Sequence, residues 1–395
     1  MLLTNYIDSK IMQPATGKTI ARMMPLRNPN PKFPDQGIIV SVNADTNVPI
    51  RINPSKKDAG HTFIMAPTGS GKTVIVCVWG ARALAHGDRV IVIEPKNEDF
   101  DGTDYRNFCD AFGGRLIRIG MDGQNFNPLQ VFYDEKQMGS KQWSYQKAIN
   151  DHYNTLISFF AAWIGPTFKN RMQGKFVESL IDLYKNHGII DGNGNVINTE
   201  KWANGAIWPS IHELRQHWQR KEENKHDPSI DALIQNTMVA MPGGAYWWLA
   251  NCNDSVDLSN DLLIFDISQL PDNIRNAISI LIMGAVSTRY FPKPNDGSPR
   301  RRTYLFFDEL GKLLQTPEMI PHIERGFKEA RAAYITTVCC TQDPEIEEKV
   351  LKIIKANCSN IFLLSNLKEA SIEDFEKVFC LKRYTDLDLF RKGQG

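Results

Sequence analysis

The sequence predicts an α/β fold, a mostly parallel sheet covered by helices on both faces with an all-α segment inserted into it, and three observations carry that reading. A glycine-rich loop, Ala66-Pro67-Thr68-Gly69-Ser70-Gly71-Lys72-Thr73, stands between the apolar run 61–65 and an apolar-rich stretch, 73–85, that stops at His86-Gly87. Apolar strand-like runs then alternate with helix-like segments, the rhythm of parallel strands joined by crossover helices. Late in the chain a second apolar run, Thr303-Tyr304-Leu305-Phe306-Phe307, closes on the carboxylates Asp308 and Glu309.

The loop is built for phosphate. Gly69 and Gly71 let main-chain N–H groups curl around phosphate oxygens, and the helix that opens at the loop adds the partial positive charge of its N-terminus. Lys72 can reach the β- and γ-phosphates as a point charge, and the Thr73 hydroxyl can join a Mg2+ shell shared with a nucleotide. The candidate binding residues are therefore Pro67, Thr68, Gly69, Ser70, Gly71, Lys72 and Thr73. This is the Walker A pattern with Ala66 in place of its first glycine, a departure that spares the glycines nearest the phosphate.

Composition narrows the classes. At 395 residues the chain can bury a large core in two or three domains. Its formal net charge of +1 leaves no global footprint for nucleic acid, so DNA contact would need a local patch. Seven cysteines without a C-x-x-C spacing, Cys339 and Cys340 adjacent, indicate neither a zinc site nor a disulfide framework and suggest a cytosolic chain. No secretory or lipidation signal opens the sequence, and the longest apolar run, 277–286, is half of what a bilayer needs, so any membrane attachment is expected through a partner.

In order along the chain, residues 1–36 read as an extended lead-in, followed by a hairpin of 37–42 and 48–53 expected to lie at an edge. After the loop and its helix come a buried strand, 89–94, a helix near 105–112 and a third strand, 116–119. Between about 142 and 249 the pattern becomes helical, with 153–163 and 173–184 at helical spacing and 215–227 a charged helical or loop face. The stretch Asp191-Gly192-Asn193-Gly194-Asn195 within it reads as a tight turn rather than a calcium loop, because it lacks the terminal Glu and other ligands. The α/β rhythm returns with 262–266, a helix through 274–290 and a loop over 292–299. Arg300-Arg301-Arg302 follows, a run that could meet a phosphate backbone but more commonly forms a solvated strand edge. These breaks predict a lead-in and hairpin over 1–58, a discontinuous sheet domain over 59–139 and 256–395, and an inserted all-α domain over 140–255.

The run ending in Asp308-Glu309 fits the Walker B pattern, with Asp308 orienting Mg2+ and Glu309 accepting a proton from the attacking water. The apolar strand 335–341 ends at Gln342, whose amide could hold that water and sense the γ-phosphate, or cap the next helix. Arg325 and Arg331 lie on a helix between these strands, where either could enter a neighbouring subunit's site or take part in a local ion-pair lattice with Glu324 and Lys328. The segments 352–356 and 360–364 and two short helices complete the chain.

With Ile93-Glu94-Pro95-Lys96, Phe126-Asn127-Pro128-Leu129, Phe265-Asp266-Ile267-Ser268, Thr341-Gln342 and 357–364 added, the ordered set of motifs resembles the C-terminal ATPase domain of the VirB-type conjugation and type IV secretion ATPases, in the FtsK/HerA-like lineage of P-loop motors. The resemblance spans roughly 35–395. It implies a RecA-like sheet with the Thr341-Gln342 strand between the two Walker strands, ATP and Mg2+ as ligands, a homo-hexamer in function, and work beside other type IV secretion components at the inner membrane, in pilus assembly or substrate export. Relatives often have Asp where Glu94 stands, and they carry a large N-terminal domain, so the chain is expected to be a fragment that is a monomer in isolation. A DNA-pumping motor, such as a conjugative coupling protein or a HerA-type translocase, shares most of these motifs, and a nucleotide-binding scaffold is a third reading that the intact Lys72, Thr73, Asp308 and Glu309 oppose. ATP is preferred over GTP only by the lack of a guanine-selecting motif.

Overall fold

The computed structural model describes residues 37–42, 49–54, 59–66, 69–95, 105–120, 126–133, 144–202, 207–222, 226–250, 256–291, 301–314, 317–342 and 348–363. The lead-in, the hairpin's turn, the loop over 292–299, Arg300 and the short helices after Leu363 lie outside them.

Seven strands form one sheet in the order β5-β6-β4-β7-β8-β3-β9, and every pairing is parallel. They are β3 (Thr62–Met65), β4 (Arg89–Glu94), β5 (Arg115–Arg118), β6 (Leu262–Asp266), β7 (Thr303–Phe307), β8 (Ile335–Thr341) and β9 (Asn360–Leu363). The strand that ends at Thr341 does lie between the two Walker strands, β7 and β3. The central strands are apolar at nearly every position because both faces are covered, and alternate residues part between two cores. Val90 and Val92 join Ile64, Ile264, Phe306 and Cys340 on one face, while Ile91 and Ile93 join Phe63, Phe265, Phe307 and Cys339 on the other.

The first face is covered by α1 (Lys72–Ala85) and α2 (Arg106–Ala111), with Trp79 of α1 against Phe306. The second is covered by α7 (Asp272–Tyr290), α9 (Met319–Ala333) and α10 (Glu348–Asn357), and the single turn α8 (Leu310–Leu313) follows β7. The hairpin pairs as β1 (Ile38–Val42) with β2 (Pro49–Ile52). It is not an edge of the large sheet, as expected from sequence, but a separate antiparallel ribbon whose Ile38 and Ile52 pack in the core of α1. Arg82 of α1 donates to the Ile39 carbonyl across that contact. Two short strands with a few inward apolar residues are better buried on a helix than hung from a sheet margin.

The chain leaves the sheet after β5 and returns beside it as β6. Between them run α3 (Tyr145–Ile164), a π turn (Phe168–Met172), α4 (Gln173–Asn186), α5 (Ile211–Glu222) and α6 (Pro228–Asn236). Side-chain caps define the starts of α3, α5 and α6: Ser144 accepts from the Lys147 N–H, Asp227 accepts from the Ser229 N–H ahead of Pro228, and Ser210 and Glu213 form a reciprocal capping box at the head of α5, which makes the charged stretch helical as far as Glu222. α3 lies close along α7, where a Cβ at Gly284 would overlap the Thr155 side chain. In the tight turn at Asp191 the carboxylate accepts main-chain N–H groups of Asn193 and Asn195. The Asn127-Pro128-Leu129 turn is a junction: Asn127 accepts from the Leu129 N–H and donates to the Pro209 carbonyl, while Tyr184 of α4 donates to the Leu129 carbonyl.

Arg301 and Arg302 stand at the amino edge of the sheet. Arg301 donates to the Gly87 carbonyl and pairs with Asp261 at 2.8 Å, and Arg302 donates to the Pro54 carbonyl and the Thr336 hydroxyl. Both guanidinium groups are thus engaged within the chain.

Candidate active site

Parallel strands place their carboxyl ends on one edge, and polar residues gather there. In sheet order the ends bring Arg118, Asp266, Glu94, Asp308 with Glu309, and Thr341 toward the loop that follows β3. Arg118 faces Asp266 at 3.6 Å, and Asp266 accepts from the Ser268 N–H and hydroxyl.

Pro67 and Thr68 lie outside the described residues. Gly69 and Gly71 have φ of 76° and 88°, and a Cβ at either would meet no neighbour, so the requirement there is the left-handed backbone rather than space within the chain. Gly71 is the residue from which α1 springs, its carbonyl accepting from the Ile75 N–H. Lys72 and Thr73 therefore occupy the first turn of α1, with Ser70 just outside it, where N–H groups have no partner inside the helix.

Lys72 is buried at 7% exposure, and its ammonium sits 3.1 Å from Glu309 Oε2 and 3.7 Å from Asp308 Oδ1. Burial alone would lower the lysine's pKa, but the nearby Asp308 and Glu309 outweigh it and hold the pKa above the ordinary value. The carboxylates come from the two residues that follow β7, whose exit is fixed by the Asp308 N–H donating to the Ile93 carbonyl. Glu309 Oε1 accepts from the Thr341 hydroxyl at 3.0 Å and from the Gln342 main-chain N–H at 3.1 Å. The Thr341 carbonyl in turn accepts from the N–H of Ala66, the residue that opens the loop. Three segments distant in sequence are thus joined around one carboxylate.

Of the residues singled out from sequence, Lys72, Asp308, Glu309 and Gln342 come together, Gln342 through its main chain, with Gly69, Ser70, Gly71 and Thr73 beside Lys72 in the chain. Arg325 is placed elsewhere: it pairs with Asp151 of α3 at 3.1 Å and with Glu329 of its own helix at 2.9 Å. Arg331 lies in α9, and its side chain falls outside what is described. Sequence reasoning missed the Thr341 hydroxyl, although a threonine at the carboxyl end of a strand flanked by both Walker strands was a readable signal. It also gave no role to Tyr105, which is fully buried with its pKa raised well above the ordinary value, first by burial and then by Asp308. The donor set suits a nucleotide with a divalent cation: N–H groups at a helix start, one buried ammonium, and a hydroxyl and a carboxylate, Thr73 and Asp308, of the kind Mg2+ prefers.

No protein-family model matches the chain, and no curated protein matches its sequence. Among solved structures it is similar to VirB4 of Thermoanaerobacter pseudethanolicus, with a TM-score of 0.69 and 21% identity over 91% of this chain and 92% of that one. The bacterial conjugative coupling protein TrwBdeltaN70 in its unbound monoclinic form aligns at a TM-score of 0.48 and 14% identity, over 88% of this chain and 74% of that one. The plasmid coupling protein TrwB in complex with ADP and Mg2+ aligns at 0.44 and 13%, over 92% and 76%. The strand order, the loop at the start of α1 and the likeness to the VirB4 structure give this chain the RecA-like P-loop fold.

Proposed function

We propose that the chain is the motor domain of a Mg2+-dependent ATPase that energises type IV secretion or conjugative transfer. The observation that carries the reading is the buried cluster of Lys72, Asp308 and Glu309 at the sheet's carboxyl edge, where a phosphate loop meets two acidic residues, the set that nucleotide hydrolysis needs. The likeness to VirB4 supports the fold, and the ordered motifs support the secretion role.

In this reading the N–H groups of 68–73 hold the phosphates and Lys72 leaves Glu309 to bridge the β and γ positions. Thr73 and Asp308 are the residues that would hold Mg2+, which supplies charge neutralisation on the phosphate oxygens. Glu309 takes a proton from the attacking water, and Gln342 at the end of β8 lies beside it to report the γ-phosphate. The chain leaves the sheet after β5 and re-enters as β6, which supports a discontinuous ATPase domain over 59–139 and 256–395 with an all-α domain over 140–255. A ring of six copies would bring in an arginine from the next subunit, an addition worth ~1000-fold or more in rate. Arg331 is the first candidate and Arg325 the second, the latter having to leave Asp151 and Glu329. Partners at the inner membrane would supply attachment, since no described helix is long and apolar enough to cross a bilayer.

The test is Mg-ATP hydrolysis measured from nanomolar to tens of micromolar protein, with and without DNA. Specific activity should rise steeply with concentration. A flat profile would mean that each subunit hydrolyses alone, strict dependence on DNA would move the reading to a DNA pump, and no hydrolysis at any concentration would leave a nucleotide-binding scaffold.

A further inference from the structure

Glu309 is held by donors of two kinds, one on each carboxylate oxygen. Oε2 accepts from Lys72, a group that a phosphate would draw away. Oε1 accepts from the Thr341 hydroxyl and the Gln342 N–H, both at the end of β8, a strand with paired neighbours on either side. Thr341 is fully buried and its own carbonyl binds the N–H of Ala66, so the base and the root of the phosphate loop are fastened to the same residue. A carboxylate bound only by Lys72 would swing when the lysine moved, since a glutamate side chain has several rotatable bonds to lose. With Oε1 fastened to β8, the loss of Lys72 uncovers Oε2 and leaves its direction unchanged.

We propose that Thr341 is a positioning residue that fixes which oxygen of Glu309 acts as the base: Oε1 remains on β8 throughout turnover, and Oε2 is released when Lys72 transfers to phosphate. This inference rests on the hydrolase reading above. A proton acceptor must sit within hydrogen-bond reach of the water in the reactive geometry, and small misplacements there are costly in rate. Thr341 donates to the proton acceptor itself, so its contribution is expected on the chemical step rather than on nucleotide affinity.

The experiment compares Thr341→Val, which keeps the branched shape and removes the donor, with Thr341→Ser, which keeps the donor. Each is measured for Mg-ATP turnover and for binding of a non-hydrolysable ATP analogue, alone and combined with Glu309→Gln. Thr341→Val should lower kcat about tenfold or more with analogue affinity within about twofold of the parent. Thr341→Ser should restore most of the loss, and in the Glu309→Gln background Thr341→Val should change residual turnover little, because the group it positions is gone. Should Thr341→Val not fold, as judged by analogue binding, Thr341→Ala set against Thr341→Ser makes the same comparison. Parent-like kcat in Thr341→Val, a loss that Ser does not repair, or an equal loss in the Glu309→Gln background overturns the proposal while the hydrolase reading stands. Parent protein whose turnover is absent, or unaffected by Glu309→Gln, overturns the hydrolase reading itself.

Discussion

Lys72 illustrates what one buried charge must reconcile. Its ammonium is nearly sealed from water and is kept charged by Asp308 and Glu309, so the pair of carboxylates stands in for the phosphates the lysine would otherwise meet. Removing one member of such a group leaves the others buried without compensation, which costs roughly 3 kcal/mol. Lys72→Ala is therefore expected to lose ATP binding and also to unfold more readily, whereas Glu309→Gln should bind ATP at least as well as the parent, because Lys72 is released, and hydrolyse it at least ~100-fold more slowly. Equilibrium titration with a non-hydrolysable analogue, thermal unfolding and steady-state turnover check the three parts, and weaker binding in Glu309→Gln would show that Lys72 is not shared between carboxylate and phosphate.

At the scale of elements, the turn between β6 and α7 is fastened by a single side chain. Arg275 donates through Nε to the Ile267 carbonyl and through Nη2 to the carbonyls of Ser268 and Leu270, and its Nη1 pairs with Asp272. A planar fork with five donors can satisfy three carbonyls and a carboxylate at once, and an ammonium cannot. Arg275→Lys is expected to destabilise the fold by about 2 kcal/mol and Arg275→Ala by about 3 kcal/mol, read from urea unfolding, because buried carbonyls lose their partners. Equal stability of all three proteins would make the fork incidental. Elements of this kind mark where sequence reading succeeded and where it stopped. The strands β4, β6, β7 and β8 were legible because burial on both faces demands unbroken apolar runs, and the loop at Gly69 and Gly71 because phosphate binding demands its spacing. The hairpin's destination was not, since alternation gives the inward face of a ribbon but not what covers it, and α1 supplies that cover. The hold of Thr341 on Glu309 was not either, because it depends on which strands lie side by side, and a single hydroxyl leaves no periodic trace. The Asn127-Pro128-Leu129 motif was visible as a signature, while its work as a junction for Pro209 and Tyr184 emerges only from the packing.

For the molecule as a whole, stability is tied to pH through histidines that the interior keeps neutral. His152 of α3 is buried, which pushes its pKa down to about 4 against a smaller opposing contribution from the Leu129 main chain. His322 is also lowered to about 4, by burial first and Arg325 second. An unfolded histidine binds its proton near pH 6.5, so between that pH and about 4 the unfolded chain carries a proton that the folded one refuses. Stability is then fully present above pH 6.5 and declines as pH falls through the window, by about 1.4 kcal/mol per pH unit for each such residue. His152→Gln should remove about 2 kcal/mol of the stability lost between pH 7 and pH 5, measured by urea unfolding at the two pH values; an unchanged loss would mean that His152 is protonated in the folded chain.

The sheet order bears on the life of the chain before it is a protein at all. The strand that leads into the phosphate loop, β3, has β8 on one side and β9 on the other, so Thr62 is registered against Val338 and Asn360. A ribosome makes β3 well before either of its neighbours, and nothing synthesised between them can take their places. Until β8 and β9 emerge, the nascent β3 is an apolar segment with two open hydrogen-bonding edges, the kind of surface that other strands and chaperones seek out. Loop closure over so long a separation is slow. The order that brings Lys72, Glu309 and Thr341 to one point therefore also delays the pairing of the strand that carries the loop until β8 and β9 have been made, and before then the elongating polypeptide has no finished phosphate site to engage a nucleotide.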